Sequence, residues 1–421
     1  MIIERYKKYM YNKLQKKPET ARKRLIQAWK GFGLYQKHFP SKDLPRSKQY
    51  LSNVCMQFML DGFTAPEKAV LTSLFMPCEL LQAFDISPIC SEMISTFING
   101  AYIERGFVEA AENAGIAETF CSYHKIVMGA ARTGVLTKCG FIVNTSLACD
   151  ANNLTFRYLA GQTGTPQYFV DVPYGKTESS VRYVTEQLKE VVSLLENVTG
   201  KKLDRDRLKE ITNRSARTVR NMNATIPYRK SRFLPGSLTA ELYEALMVHN
   251  ALGTPEALKY SEMLLEDYKN AEESTGVKIL WMHTNPFWQD TVKALFNHNR
   301  AQHIVATELG YDNWMEEDPS DPFRFMARRI VFNPFNGPAD DRIECSRRMA
   351  ERTGADGVVL FCHWGCKMTS GASAKIKKDL EAAGHPVLIL NGDGVDRANV
   401  SSGQTLTRLE AFLEMLGERK K

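Results

Sequence analysis

Short apolar runs alternate with helical patterns in two separate stretches of this chain, and that alternation restricts the fold to parallel sheets covered by helices. The first stretch holds the strand-like runs Ala69-Val70-Leu71, Leu74-Phe75-Met76, Phe141-Ile142-Val143-Asn144-Thr145 and Gln167-Tyr168-Phe169-Val170, with helical patterns from Pro77 to Ala83 and from Cys121 to Arg132. The second holds Val277 to Met282, His303 to Ala306, Gly357 to Leu360 and Pro386 to Leu390. Its helices are expected over Trp288 to Asn297, Asp341 to Arg352, Ala374 to Ala383 and Thr405 to Leu416. Between the stretches, residues 176–272 are charged, with apolar residues at helical spacing as in Val181 to Glu196. Residues 1–60 also read as helices, broken at Pro18, Pro40 and Pro45. The expected class is α/β, with two Rossmann- or flavodoxin-like parallel-sheet domains. Residues 1–60 form a basic helical extension, 61–272 the first domain with its helical segment, and 273–421 the second domain.

Composition narrows the classes of function. Hydrophobic residues make up 43% and charged residues 24%, the proportions of a soluble globular protein. The first residues lack the apolar centre of a signal peptide and no apolar run is long enough to span a bilayer, so a cytoplasmic protein without membrane contact is expected. The net charge of +7 is unevenly placed: residues 1–50 hold 14 Lys and Arg against 3 Asp and Glu, and the rest 41 against 45. The basic arm lacks a groove-reading motif and the body is not basic, so no nucleic-acid partner is expected. Nine scattered cysteines in a reducing compartment argue against disulfides and match no local zinc or ferredoxin spacing.

The segment Phe361-Cys362-His363-Trp364-Gly365-Cys366-Lys367 closes a strand-like run and precedes a helical pattern. It therefore lies at the carboxyl end of a strand, where open α/β sheets bind ligands. Gly175-Lys176-Thr177 resembles the end of a phosphate-binding loop, but Val170 stands where that loop needs glycine. Gly392-Asp393-Gly394 lacks dinucleotide-binding spacing and reads as a strand-end turn. Two thiol chemistries remain. A cysteine nucleophile needs a base, and His124 at i+3 from Cys121 is better placed for this than His363 beside Cys362 on a strand. Alternatively, Cys121, Cys149 and Cys366 each stand at a turn where a strand end meets a helix start, where free amides favour thiolates and donate to cluster sulfurs. Three thiolates would leave one iron of a 4Fe–4S cluster open to a substrate oxygen.

At these residues the sequence resembles the 2-hydroxyacyl-CoA dehydratase family, which includes the benzoyl-CoA reductase subunits. The resemblance rests on Ala355-Asp356-Gly357-Val358-Val359, His363-Trp364-Gly365-Cys366-Lys367, Gly384 to Asp393 and Gly403 to Glu414. Upstream it rests on Pro77-Cys78-Glu79-Leu80-Leu81, Cys121-Ser122-Tyr123 and Cys149-Asp150. It covers roughly residues 65–175 and 275–416 and leaves out the basic arm. It implies a 4Fe–4S cluster held between two α/β domains by Cys121, Cys149 and Cys366. It further implies that water is eliminated from an (R)-2-hydroxyacyl-CoA through a ketyl radical, after one-electron activation by a separate ATP-dependent iron–sulfur activator. The implied partners are an acyl-CoA substrate and a homologous second subunit, or a second copy of the chain.

Departures from the family pattern keep alternatives open. Cys78 and Cys362 are further candidate ligands, with Cys345, for the double-cubane cluster that some relatives use to reduce small molecules. Reduction of an aromatic acyl-CoA and a non-catalytic electron-transfer subunit are the other readings. Ser73, beside Thr72 at a strand end, is a candidate catalytic hydroxyl whose ordinary role would be to cap a turn. His363 is a candidate acid/base or cluster-facing donor. Cys55, Cys90 and Cys139 are assigned to packing.

Overall fold

A computed structural model of the chain describes residues 2–420. Three helices, Ile2–Lys16, Pro18–His38 and Arg46–Thr64, precede the first sheet. The third buries Leu51, Cys55, Met56, Met59 and Phe63 and packs against the helices Leu238–Asn250 and Pro255–Asn270, so the helical extension does not stand apart from the fold. The first helix is fastened to the body by Tyr11, whose hydroxyl donates to Glu109 Oε2 at 2.5 Å.

The first sheet is built from β1 (Ala69–Thr72), β2 (Ser87–Cys90), β3 (Phe141–Thr145) and β4 (Gln167–Val170), in the order β2-β1-β3-β4. All neighbours are parallel, with Leu71 facing Ile89 on one side and Ile142 on the other. β1 and β3 are buried along their whole length, as central strands covered on both faces must be. The helical segment follows and carries a two-stranded ribbon, β5 (Arg232–Phe233) and β6 (Glu272–Glu273). The second sheet comprises β7 (Val277–Met282), β8 (Gln302–Thr307), β9 (Gly357–His363) and β10 (Val387–Gly392), again all parallel. Its order, β8-β7-β9-β10, is that of the first sheet: in each, the third strand pairs on the opposite side of the first strand from the second. Both are the two-sided parallel sheets expected from the alternation of apolar runs and helices.

One local expectation fails for a physical reason. Leu74-Phe75-Met76 is a turn, not a strand, and its apolar side chains are buried beyond the end of β1. β2 contains Pro88, which removes a backbone donor; as an edge strand it tolerates this. The Gly175-Lys176-Thr177 run holds no phosphate cradle: Thr177 caps the helix Glu178–Thr199, and Lys176 pairs with Asp341 at 2.7 Å. Among the described residues no helix is long and apolar enough to cross a membrane.

Candidate functional site

In a parallel sheet whose strand order reverses about its first strand, the loops beyond β1 and β3 diverge and leave a crevice. The two sheets bring these crevices together. Between them lies a cavity of about 100 Å³, lined from the first half by Leu74, Phe75, Cys121, His124 and Cys149, among others. The second half contributes His283, Thr284, Phe335, His363, Cys366 and Met368. A wider depression of about 570 Å³ shares Ala148, Cys149, Phe335 and Met368 with it and reaches exposed Tyr174.

The halves are fastened by polar contacts beside the cavity. Ser122 donates to Asp393 Oδ2 at 2.5 Å, and the Tyr123 and Thr284 hydroxyls meet at 2.7 Å. Asp393 Oδ1 accepts the amides of Val395 and Asp396, which gives the strand-end turn after β10 its shape. Gly365, at φ +85°, lets the β9 loop pass against the Cys121 backbone; a Cβ there would lie 2.6 Å from Cys121 N.

The structure brings Cys121, Cys149 and Cys366 to one cavity wall. Each is the residue that precedes a helix, Ser122–Arg132, Asp150–Thr163 and Lys367–Ala382 respectively, and none of the three helices has a side-chain cap. Each sulfur has its own polar side-chain neighbour. Cys121 Sγ is 3.2 Å from His363 Nε2, Cys149 Sγ 3.4 Å from His124 Nε2, and Cys366 Sγ 3.6 Å from Thr369 Oγ1. Burial pushes the Cys121 thiol well up, and the neighbouring Cys149 and Cys366 thiols push it further. Burial also raises Cys149, helped by Glu92 and Cys366, while the amides of Asn152 and Ala151 pull the other way.

These surroundings bear on both thiol readings. A nucleophile needs a lowered pKa, and Cys121 has a raised one. Nor does His124 serve Cys121 as its helical spacing predicts: its ring reaches Cys149 instead. The donor set fits an iron–sulfur cluster, because a bound cation replaces the thiol protons and removes the cost of burying thiolates. Among the described residues no three His, Cys, Asp or Glu converge on a point suited to one metal ion.

Of the other expected residues, His363 lines the cavity and the rest lie off its wall. Ser73 is fully buried behind Leu74, and its hydroxyl accepts the Thr145 amide of β3 at 3.2 Å. Cys78 is buried, bonds to the Met76 carbonyl and is pushed up to about 12 by burial. Cys362 is raised by burial and faces Ser373. Cys345, pushed up to about 12 by burial, sits in the helix Ala339–Thr353. Two cavity residues carried no sequence motif. Glu92, the one carboxylate among the lining residues, accepts from Ser91 at 2.6 Å. His283, at the end of β7, has the left-handed φ of +69° that a non-glycine residue seldom adopts. Its amide donates to Glu308 Oε2 at 2.9 Å and its Nδ1–H to the Phe361 carbonyl at 3.2 Å. Both Glu92 and His283 follow strand ends, which is the only signal that would have found them.

The profile of the 2-hydroxyglutaryl-CoA dehydratase, D-component, family matches residues 73–416. The chain belongs to this family. The match runs through the helical segment at 176–272 that the recognisable motifs leave out. A benzoyl-CoA reductase subunit of Thauera aromatica is 25% identical over 398 residues, 84% of this chain and 90% of the relative. The alpha subunit of (R)-phenyllactyl-CoA dehydratase from Clostridium sporogenes is 20% identical, covering 89% of this chain and 97% of its own. The alpha subunit of lactoyl-CoA dehydratase from Anaerotignum propionicum is 24% identical, with coverage of 81% and 88%. Relatives in the family are thus named both as dehydratase and as reductase subunits.

Proposed function

We propose that this chain is the iron–sulfur subunit of a 2-hydroxyacyl-CoA dehydratase, with a 4Fe–4S cluster on Cys121, Cys149 and Cys366. The observation that carries the reading is the placement of these three thiols, from segments far apart in sequence, on the wall of one cavity at the carboxyl ends of both sheets. When bound, the cluster supplies a Lewis-acidic iron without a protein ligand and a low-potential electron for expelling a 2-hydroxyl group.

The chain's own residues supply the surroundings. Leu74, Phe75, Leu242, Leu246, Phe335 and Met368 make the cavity apolar and keep water from the reacting centre. The depression past Tyr174 gives the acyl-CoA a route inward. Glu92 faces the same space and is the group placed to hold a proton lost from the acyl chain. Ser73 and the Thr145 amide fix the ends of β1 and β3, so this hydroxyl shapes the crevice. The relatives are themselves named as single subunits of larger enzymes, which supports a second, homologous subunit as partner. The electron donor is a separate ATP-dependent activator.

The benzoyl-CoA reductase relative supports a second reading, reduction of an aromatic acyl-CoA. One assay separates the two. The anaerobically purified chain, its companion subunit, an activator, ATP and a reductant are offered a panel of (R)-2-hydroxyacyl-CoA thioesters and benzoyl-CoA. Formation of 2-enoyl-CoA with sub-stoichiometric ATP is expected. Ring reduction, with no loss of water from any hydroxy thioester, would replace the dehydratase reading.

A further inference from the structure

Two buried imidazoles stand against the thiols, one from each half of the molecule. His363 is the better defined. Its Nδ1 accepts the amide of Gly394 at 3.0 Å. A neutral imidazole that accepts at Nδ1 carries its proton on Nε2. That Nε2–H lies 3.2 Å from Cys121 Sγ, so it points at the sulfur as a donor.

His124 reaches the same arrangement by a different argument. Its Nε2 is 3.4 Å from Cys149 Sγ, and its Nδ1 is buried without any partner. A proton on Nδ1 would strand a buried donor, which native proteins avoid more strongly than an unmet acceptor. A proton on Nε2 makes the bond to sulfur and leaves only a lone pair unmet. The third thiol, Cys366, has no imidazole, only the Thr369 hydroxyl at 3.6 Å.

We infer that His363 and His124 are positioning residues for the cluster, each donating one Nε2–H hydrogen bond to a ligand sulfur and together making its reduction potential less negative. The inference rests on the reading that Cys121 and Cys149 hold a cluster. The cause is electrostatic. A reduced cluster carries one more negative charge, spread partly on its sulfurs, and an N–H aimed at sulfur stabilises that state over the oxidised one. The two bonds differ in origin. His124 lies in the same half of the molecule as Cys149, whereas His363 crosses from the β9 end to Cys121 in the other half. The potential therefore depends in part on how the two halves are held together.

The test is a redox titration of the anaerobic holoprotein followed by electron paramagnetic resonance, for wild type, His124→Leu, His363→Leu and the double variant. Each Leu variant is expected to titrate at a more negative potential than wild type, and the double variant at the most negative. His124→Gln and His363→Gln, which keep an amide N–H, are expected to recover part of the shift. If a Leu variant fails to take up iron, the wild-type protein still decides. Its reduced cluster, reconstituted in H2O and in D2O, should show two coupled protons that exchange and weak nitrogen couplings in electron–nuclear double resonance. A wild-type chain that binds no cluster would remove the underlying reading. An intact cluster with unmoved or less negative potentials in the Leu variants, or with no exchangeable coupled proton in wild type, would overturn this inference alone.

Discussion

The two parallel sheets repeat one strand order, and yet they bring different chemistry to the cavity they share. The first half contributes two thiols, Cys121 and Cys149, the imidazole of His124 and the carboxylate of Glu92. The second contributes one thiol, Cys366, and two imidazoles, His363 and the strained His283. Strand order determines where the loops converge, while the loop residues determine what they can hold. Backbone strain occurs in both halves but is supported differently. At the cavity, a left-handed non-glycine backbone occurs at Ala148 in the first half and at His283 in the second. In the second half it is backed by charge: buried Arg342 grips Glu308 through two bonds, 3.0 and 2.8 Å, and Glu308 receives the His283 amide.

The largest way to break the comparison is to remove thiols from each half in turn. Cys121→Ala, Cys149→Ala and Cys366→Ala should each lose iron and activity together, by about 10³-fold or more, although they lie in different halves. Cys55→Ala and Cys90→Ala should keep their iron and cost about 1 kcal/mol of stability. Iron analysis and turnover on the same preparations check both. Next comes the charged support in the second half. Arg342→Met leaves Glu308 buried without its partner and should cost about 3–5 kcal/mol, read as a lower denaturation midpoint.

Acid should separate the halves further. Burial, reinforced by Lys278, Lys420 and Lys48, pushes His303 of β8 down to about 4. Its folded pKa lies below the unfolded value of about 6.5, so the unfolded chain binds more protons between the two. The associated stability is complete above about pH 6.5 and is lost as pH falls toward 4, by about 3 kcal/mol. His303→Gln should flatten that acid limb in denaturant titrations run across the range. Gly365→Ala acts at the seam between the halves. A left-handed position and a Cβ 2.6 Å from Cys121 N should cost about 1–3 kcal/mol and loosen the contact between the halves. Lower iron occupancy at unchanged secondary structure would register it.

The central strands were legible because their apolar runs are continuous: β1, β3, β7 and β9 fall within a residue or two of expectation at most of their ends. β2 was not, because Pro88 in a four-residue edge strand looks like a break. Leu74-Phe75-Met76 misled in the opposite sense: Leu74 and Phe75 are apolar because they line a cavity, not because they pair in a sheet. For the site, local context singled out Cys121, Cys149 and Cys366 as residues at helix starts. Their convergence depends on two sheets facing each other, which no local pattern encodes. The same limit explains His124. Helical spacing placed it beside Cys121, and the fold turned its ring toward a thiol 25 residues further along. Ser73 was noticed for its position at a strand end, but the packing of β1 on β3 turns its hydroxyl into the sheet.

The claim that one cluster spans both halves is tested most directly by anomalous diffraction at the iron edge from anaerobically grown crystals of the holoprotein. The account predicts a single four-iron peak in the cavity, with Cys121, Cys149 and Cys366 each bonded to a different iron and the fourth iron free of protein ligands. Iron bonded instead to Cys78 or Cys362, eight irons in one chain, or a peak that touches only one half of the molecule would contradict it.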